Sequence, residues 1–167
     1  MNLYLFRHGI AVDRGLPGYE DDSQRPLTPK GSARIYRIAQ AMKRLDIEFD
    51  LVLASPYLRT QETAQIVASF YGIEQNLHLT ETLAPANPPS ALIGELHELY
   101  ADALSVLIVG HEPYLGALAS VLLTGDEKIA ITFKKGGLCK FSIDELIYGR
   151  CATLDWLITP KQMLNLD

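Results

Sequence analysis

Residues 3–9, LYLFRHG, decide the fold, because an apolar strand ends there in residues that carry chemistry. The first four form a short apolar run that is typical of a strand buried in a sheet. The run stops at Arg7, His8 and Gly9, so a cation and an imidazole lie at the carboxyl end of the strand, beside a residue that lets a ligand approach the backbone. Open α/β sheets bind ligands at that edge. The stretch alone also fits an ordinary strand end with a surface arginine and histidine.

Length, composition and charge narrow the class of protein. The 167 residues predict one domain, residues 1–167, and their net charge of −5 argues against a general binder of nucleic acid or membrane surfaces. Cys139 and Cys151 form neither a disulfide framework nor a Cys-x-x-Cys pair, so we expect a reduced, cytoplasmic setting. The N-terminus does not resemble a signal peptide, and the longest later apolar run, residues 115–123, is too short to span a bilayer.

Alternating strand and helix patterns predict an α/β fold. A loop rich in Asp, Gly and Pro, residues 10–26, follows the first strand and has the length of a functional or mobile segment. Three β-like runs lie near the C-terminus, residues 130–133, 137–143 and 151–158, and two of them are expected to pair as an antiparallel edge on a mainly parallel sheet. The other predicted elements are a helix capped by Thr28 and Pro29, a strand at 50–54, a helix from Ser55-Pro56 to Tyr71, a strand at 77–80, a helix at 91–103, a strand at 105–109 and a helix at 114–123.

Arginine and histidine side chains follow three of these strands. His111 comes directly after the fourth strand, and Arg59 lies in the first turns of the helix after the second strand, where an arginine forms an anion site or is merely tolerated. Because the carboxyl ends of parallel strands share one edge, we expect Arg7, His8, Arg59 and His111 to converge. This set suits a phosphoryl group, and the histidine spacings lack the patterns of zinc sites.

Four strings carry a family resemblance: RHG at residues 7–9, LTPKG at 27–31, SPYLRTQETA at 55–64 and GHEP at 110–113. Their order and spacing resemble the histidine phosphatase superfamily, which has the phosphoglycerate-mutase-like fold. The short chain and the string RPLTPKG are similar to the SixA-type branch, the small phosphohistidine phosphatases. The resemblance implies three α/β/α layers around a mainly parallel sheet with an antiparallel edge.

The resemblance also implies roles for the site residues. His8 is the expected nucleophile, which attacks phosphorus in line and forms a phosphohistidine intermediate that water hydrolyses. It must be neutral, and we expect a backbone carbonyl to fix its tautomer. Arg7, Arg59 and His111 are expected to bind the phosphoryl oxygens and stabilise charge without a metal ion or cofactor. Ser55 fits either an added donor or, more simply, a helix N-cap.

The general acid is the weak part of the resemblance. Ester-cleaving members carry a glutamate after the third strand, and Glu81 is nearest by position but lacks the usual surroundings, so a surface role fits equally well. Imidazole leaving from phosphohistidine needs a general acid much less than an alkoxide does. One predicted helix fills most of the stretch between Glu81 and His111, which leaves no roofing insertion over the site. Arg25 fits either the rim of the site or an exposed loop.

These observations favour a phosphatase acting on phosphohistidine in a partner protein, such as a histidine-phosphotransfer domain of a signalling phosphorelay. The same pocket acting on small phosphate monoesters is the first alternative, and a non-catalytic phosphate-binding regulatory module is the second. A mutase is disfavoured because the roof is missing. We expect a monomer, and the sequence indicates no role for the tail, residues 160–167.

Overall fold

The computed structural model describes residues 1–165, so Leu166 and Asp167, the end of the tail, lie outside the described residues. Six strands form one sheet in the order β3-β2-β4-β1-β5-β6. The strands are β1 (Asn2–Arg7), β2 (Leu51–Ala54), β3 (Leu77–Leu79), β4 (Ser105–Gly110), β5 (Leu138–Ile143) and β6 (Ala152–Ile158). The helices are α1 (Pro29–Arg44), α2 (Leu58–Tyr71), α3 (Pro89–Leu99), α4 (Tyr114–Thr124) and the short α5 (Pro160–Met163). Within residues 1–165, none of the helices combines the length and apolar character needed to span a membrane.

The sheet confirms the mainly parallel arrangement with an antiparallel edge. Strands β1 to β4 are parallel, β5 runs antiparallel to β1, and β6 runs antiparallel to β5. Strand β4 lies between β1 and β2, with Arg7 opposite Gly110 and Ala54 opposite Val109. The carboxyl ends of these three strands therefore meet at one edge of the sheet.

Alternation along each strand divides the core into two layers. Leu3 and Leu5 of β1 pack in one cluster with buried side chains of α3 and α4. Tyr4 and Phe6 point to the other face and pack with buried side chains of α1 and α2. Since successive strand residues face opposite sides, this pattern covers both faces with helices, which confirms the three-layer α/β/α fold.

The start of α1 is fixed as predicted and is packed tightly on the loop that leaves β1. Thr28 is the N-cap, and its Oγ1 atom accepts a hydrogen bond from the Gly31 amide (3.0 Å), with Pro29 in the first turn. A Cβ atom on Gly31 would lie 2.0 Å from the carbonyl oxygen of Ile10. The glycine of LTPKG therefore permits a backbone contact that holds the helix against the chain just beyond His8.

Three predicted elements differ from the structure. Residues 130–133 are irregular rather than a strand, because the Phe133 amide and carbonyl bind side chains instead of a neighbouring strand. Helix α2 begins at Leu58 with Tyr57 as N-cap, so Ser55 is not a helix cap. The Ser55 amide instead donates to the Val109 carbonyl (3.1 Å), which keeps the chain extended past the end of β2. Helix α3 begins earlier than predicted, at Pro89, and ends at Leu99.

Candidate active site

The four residues expected to converge lie together at the carboxyl edge of the sheet. Arg7 ends β1, His8 follows it, His111 follows β4, and Arg59 is the second residue of α2. The Nε atom of Arg59 lies 3.3 Å from Nε2 of His8, and the two imidazole rings have centroids 5.4 Å apart. His8, Arg59 and His111 are 6%, 4% and 2% exposed. The structure therefore assembles them into one largely desolvated cluster.

The backbone fixes the tautomer of His8. Its Nδ1 atom lies 2.7 Å from the carbonyl oxygen of Gly9, which can only accept, so the ring proton is on Nδ1 and the lone pair is on Nε2. The Gly9 amide donates to Oγ1 of Thr63 (3.1 Å), and that hydroxyl donates to the carbonyl of Arg59 (2.6 Å). Thr63 thereby ties the His8 segment to the helix that carries Arg59.

Burial keeps His8 neutral. It lowers the pKa of His8 from 6.5 to about 3, against the hydrogen bond to Gly9, which acts to raise the pKa. The charges of His111, Arg59 and Arg7 act in the same direction as burial. A neutral imidazole with its lone pair on Nε2 is the form that can attack phosphorus.

His111 has a different partner. Its Nε2 atom lies 2.7 Å from Oγ of Ser55, and its buried Nδ1 atom has no hydrogen-bond partner within residues 1–165. Burial, followed by the charge of Arg59, lowers the pKa of His111 to about 3, while Asp22 acts to raise it. The expectation that Ser55 serves as a plain N-cap is therefore wrong, because its hydroxyl is engaged with His111.

Arg7 is held by the irregular segment before β5. Its Nη1 atom donates to the carbonyl oxygen of Phe133 (2.6 Å), while its buried Nε atom has no partner within the described residues. The same Phe133 is anchored through its amide, which donates to Oε1 of Glu112 (2.6 Å). The other carboxylate oxygen of Glu112 accepts from the Gly116 amide in α4 (3.3 Å). Glu112 thus positions the carbonyl that orients Arg7.

An acidic residue of the 10–26 loop positions Arg59. The backbone carbonyl and Oδ2 of Asp22 accept from Nη1 and Nη2 of Arg59 at 2.7 and 3.0 Å. Oδ1 of Asp22 accepts from Arg25 (2.8 Å) and from the exposed Arg14 (2.9 Å). Burial acts to raise the pKa of Asp22, but the hydrogen bond from Arg25 and the charge of Arg59 outweigh it and lower the pKa to about 2. Asp22 is therefore a carboxylate that links the loop to the cluster.

The chain matches known phosphatases. The model of the histidine phosphatase superfamily (branch 1) matches residues 3–85. The phosphohistidine phosphatase SixA homolog of Haemophilus influenzae is 30% identical over 130 residues, 73% of this chain and 77% of the relative. The chain belongs to the histidine phosphatase superfamily. Phosphohistidine phosphatase SixA of Escherichia coli is 27% identical over 162 residues, 96% of this chain and 94% of the relative.

A solved structure of a histidine phosphatase shows the same fold. The structure of the protein histidine phosphatase SixA complexed with tungstate superimposes with a TM-score of 0.83 at 26% identity, over 96% of this chain and 98% of that one. Membership of the superfamily and this likeness along nearly the whole chain support a phosphatase.

Arg25, the candidate for the rim of the site, and Glu81, the candidate for the general acid, have distinct positions. Arg25 is 9% exposed rather than lying on an open loop, and it reaches the cluster through Asp22, with Nη1 donating to the Val12 carbonyl (2.6 Å). Glu81 is exposed at the start of a 3₁₀ turn, and its carboxylate makes no hydrogen bond within residues 1–165. The structure does not bring Glu81 into the hydrogen-bonded cluster.

Sequence reasoning missed three residues that support this histidine phosphatase site. In the sequence Asp22 ends an acidic run, residues 20–22, and its spacing of three residues from Arg25 is the signal that points to their ion pair. Thr63 and Glu112 lie inside the family strings but gave no sign of their contacts. Among residues 1–165, no group of three or more His, Cys, Asp and Glu side chains is arranged to hold a metal ion.

Proposed function

We propose that this protein is a phosphatase that hydrolyses phosphohistidine on a partner protein, using His8 as the nucleophile. The observation that carries the proposal is the neutral His8, whose Nε2 lone pair faces the cluster beside Arg59. The likeness to SixA over nearly the full chain supports the same substrate class. We infer that the protein is a monomer that acts in cytoplasmic phosphorelay signalling.

The reaction has two displacements at phosphorus. In the first, Nε2 of His8 forms a bond to phosphorus as the bond to the substrate imidazole breaks. The leaving nitrogen keeps the electron pair, and the substrate ring leaves as neutral imidazole because its other nitrogen carries a proton. In the second, water attacks phosphorus, the bond to Nε2 breaks, and inorganic phosphate leaves with the proton balance taken up by solvent. His8 is regenerated in its neutral form, so the enzyme is ready for the next catalytic cycle.

Three cationic or polar groups are placed to hold the phosphoryl oxygens. Arg59 Nε, which donates to His8 Nε2 in the free protein, is expected to move its hydrogen bond to a phosphoryl oxygen when substrate binds. Arg7 Nε and His111 Nδ1 have no hydrogen-bond partner within the described residues, and we expect both to donate to phosphoryl oxygens as well. Donors aimed at developing charge in a desolvated site are a large source of rate enhancement.

The position of Glu81 favours phosphohistidine over phosphate esters. An alkoxide leaving group needs a nearby general acid, and an imidazole leaving group needs it much less. Glu81 is exposed and outside the hydrogen-bonded cluster. Between the Glu81 turn and β4 the chain forms α3, which packs on the sheet through Leu92, Ile93 and Leu96, so this stretch supplies no inserted subdomain over the site.

Small phosphate monoesters are the second candidate, and one observation favours them. A cleft of about 740 Å³ beside Arg7 lies between residues 85–89 and 127–132, and its size fits a small leaving group. Glu112 and Glu127 line this cleft, so an ester bound there would have a carboxyl group nearby, and Glu81 precedes the first of these segments in sequence without lining the cleft. A non-catalytic phosphate-binding module is disfavoured by the intact cluster of Arg7, His8, Arg59 and His111.

The test compares three substrates in the presence of EDTA: a phosphorylated histidine-phosphotransfer domain, p-nitrophenyl phosphate and a sugar phosphate. We expect the phosphohistidine protein to be dephosphorylated preferentially, chelation to leave the rate unchanged, and His8→Ala to abolish it. Glu81→Ala is expected to change phosphohistidine hydrolysis less than twofold. Its matched control is Glu74→Ala, since both residues are exposed and begin 3₁₀ turns on either side of β3. The second candidate would replace the proposal if wild type hydrolysed esters rapidly but not phosphohistidine, and if Glu81→Ala lost this ester hydrolysis while Glu74→Ala kept it.

A further inference from the structure

A second hollow, of about 560 Å³, shares Arg7 with the active site. Its other charged lining residues are all cations: Arg34 from α1, Lys134 and Lys135 from the segment before β5, and Lys161 from α5. We call these four residues the basic hollow. The whole chain has a net charge of −5, so this clustering opposes the overall balance of charge.

The charges of the basic hollow are not compensated within residues 1–165. Among residues 1–165, the ion pairs are formed by other cations, and none includes Arg34, Lys134, Lys135 or Lys161. The remaining lining residues, Ile10, Thr159 and Pro160, carry no charge. Like charges gathered around one concavity repel one another and produce a local positive potential that attracts an anion.

Hydrogen bonds join the segment that carries Lys134 and Lys135 to Arg7, which precedes His8 at the end of β1. Lys134 directly follows Phe133, whose carbonyl accepts from Nη1 of Arg7 (2.6 Å). The Gly136 amide donates to the carbonyl of Arg7 (2.9 Å), so the lysine segment is fixed to the end of β1 on both sides. An anion in the hollow would therefore lie next to the phosphoryl group bound in the active site, so one substrate molecule could carry both groups.

We propose that the basic hollow binds acidic side chains that flank the phosphohistidine of the partner protein. The proposal rests on the proposed function, because it assigns the surface around the same reacting group. The three lysines are exposed and carry their charge on long flexible stems, so they suit a broad acidic surface better than a small molecule, which needs preorganised donors. Complementary charge of this kind raises the association rate and selects partners.

The test uses two phosphohistidine peptides that differ only in having glutamate or glutamine on both sides of the phosphohistidine, with free phosphohistidine as a third substrate. At low salt, wild type is expected to hydrolyse the glutamate peptide with about tenfold higher kcat/KM, mainly through KM, and salt is expected to reduce the difference. The triple variant Lys134→Glu/Lys135→Glu/Lys161→Glu is expected to lose the preference and to hydrolyse free phosphohistidine at the wild-type rate.

The control is Arg37→Glu/Arg44→Glu/Arg150→Glu, which makes the same change in net charge at exposed positions outside the hollow and is expected to keep the preference. Equal rates for the two peptides, or an unchanged preference in the lysine variant, would overturn the proposal while leaving the proposed function standing. A preference for a small bisphosphate over a monophosphate, lost in the lysine variant, would assign the hollow to a second phosphate instead. If wild type hydrolyses esters but no phosphohistidine substrate, both the proposed function and this inference are overturned.

Discussion

The carboxyl ends of β1 and β4 each carry a histidine, and the two histidines differ in their hydrogen bonds rather than in their burial. His8 and His111 both have a pKa lowered to about 3, with burial as the largest cause. His8 donates to a backbone carbonyl, whereas His111 pairs with the hydroxyl of Ser55, which can donate or accept.

The difference supports the proposed division of roles, with His8 as the nucleophile and His111 as a binding group. The Gly9 carbonyl can only accept a hydrogen bond, so the ring proton of His8 lies on Nδ1. The lone pair therefore lies on Nε2, which faces Arg59. A hydroxyl can give its proton to Nε2 of His111, which places the ring proton on Nδ1, the atom without a partner in residues 1–165. We infer that His111 donates a hydrogen bond to the phosphoryl group while His8 attacks it.

The largest expected effect separates the two histidines. His8→Ala is expected to lower kcat for phosphohistidine hydrolysis at least a thousandfold because it removes the nucleophile, whereas His111→Ala is expected to cost about a hundredfold because it removes one donor. Rapid quenching with ³²P-labelled substrate checks this, since wild type and His111→Ala should carry label on the protein and His8→Ala should carry none. Label on His8→Ala but not on His111→Ala would reverse the assignment.

A smaller effect is expected from Ser55→Ala. Losing the hydroxyl leaves Nε2 of His111 buried without a partner and frees its tautomer, so kcat is expected to fall about tenfold, as for one hydrogen bond of about 1.4 kcal/mol. Ser120→Ala is the matched control, because Ser120 is also fully buried but bonds the Asp126 carbonyl at the end of α4. Equal losses of kcat in the two variants would show that Ser55 supports only the fold.

The last prediction concerns the dependence of stability on pH rather than the catalytic rate. The folded pKa of His8 lies near 3, below its ordinary 6.5, so the unfolded chain takes up the proton first as the pH falls. The contribution of His8 to the free energy of unfolding is thus complete above about pH 6.5 and is lost toward pH 3, at up to about 1.4 kcal/mol per pH unit. Urea unfolding between pH 7 and pH 5 should show a shallower loss of stability in His8→Asn than in wild type. An equal slope in His8→Asn and wild type would contradict the prediction.

Elements whose pattern is local were predictable from the sequence. The strand before Arg7, the cap of α1 at Thr28 and the end of α2 at Tyr71 each depend on adjacent residues, and the structure confirms them. The convergence of His8 and His111 followed from topology, because parallel strands end at one edge.

Contacts that depend on tertiary structure were not predictable. Residues 130–133 have the composition of a strand, but Arg7 and Glu112 take the backbone groups of Phe133 that strand pairing would need. The Ser-Pro pair at Ser55 is typical of a helix start, but α2 begins three residues later, and the Ser55 hydroxyl contacts His111, which is distant in sequence. Asp22 reaches Arg59 across thirty-seven positions of sequence, which no local pattern encodes.

The position of β4 between β1 and β2 also determines when the site can form during synthesis. His8 and Arg59 lie beyond the ends of strands that do not pair with each other, and the gap between them stays open until Ser105–Gly110 inserts. Chains grow from the N-terminus, so His8 and Arg59 are made long before the strand that brings them together. A nascent or truncated chain that ends before β4 therefore holds every residue of the cluster except His111 and is expected to lack the competent site, which delays phosphatase activity until the sheet is closed.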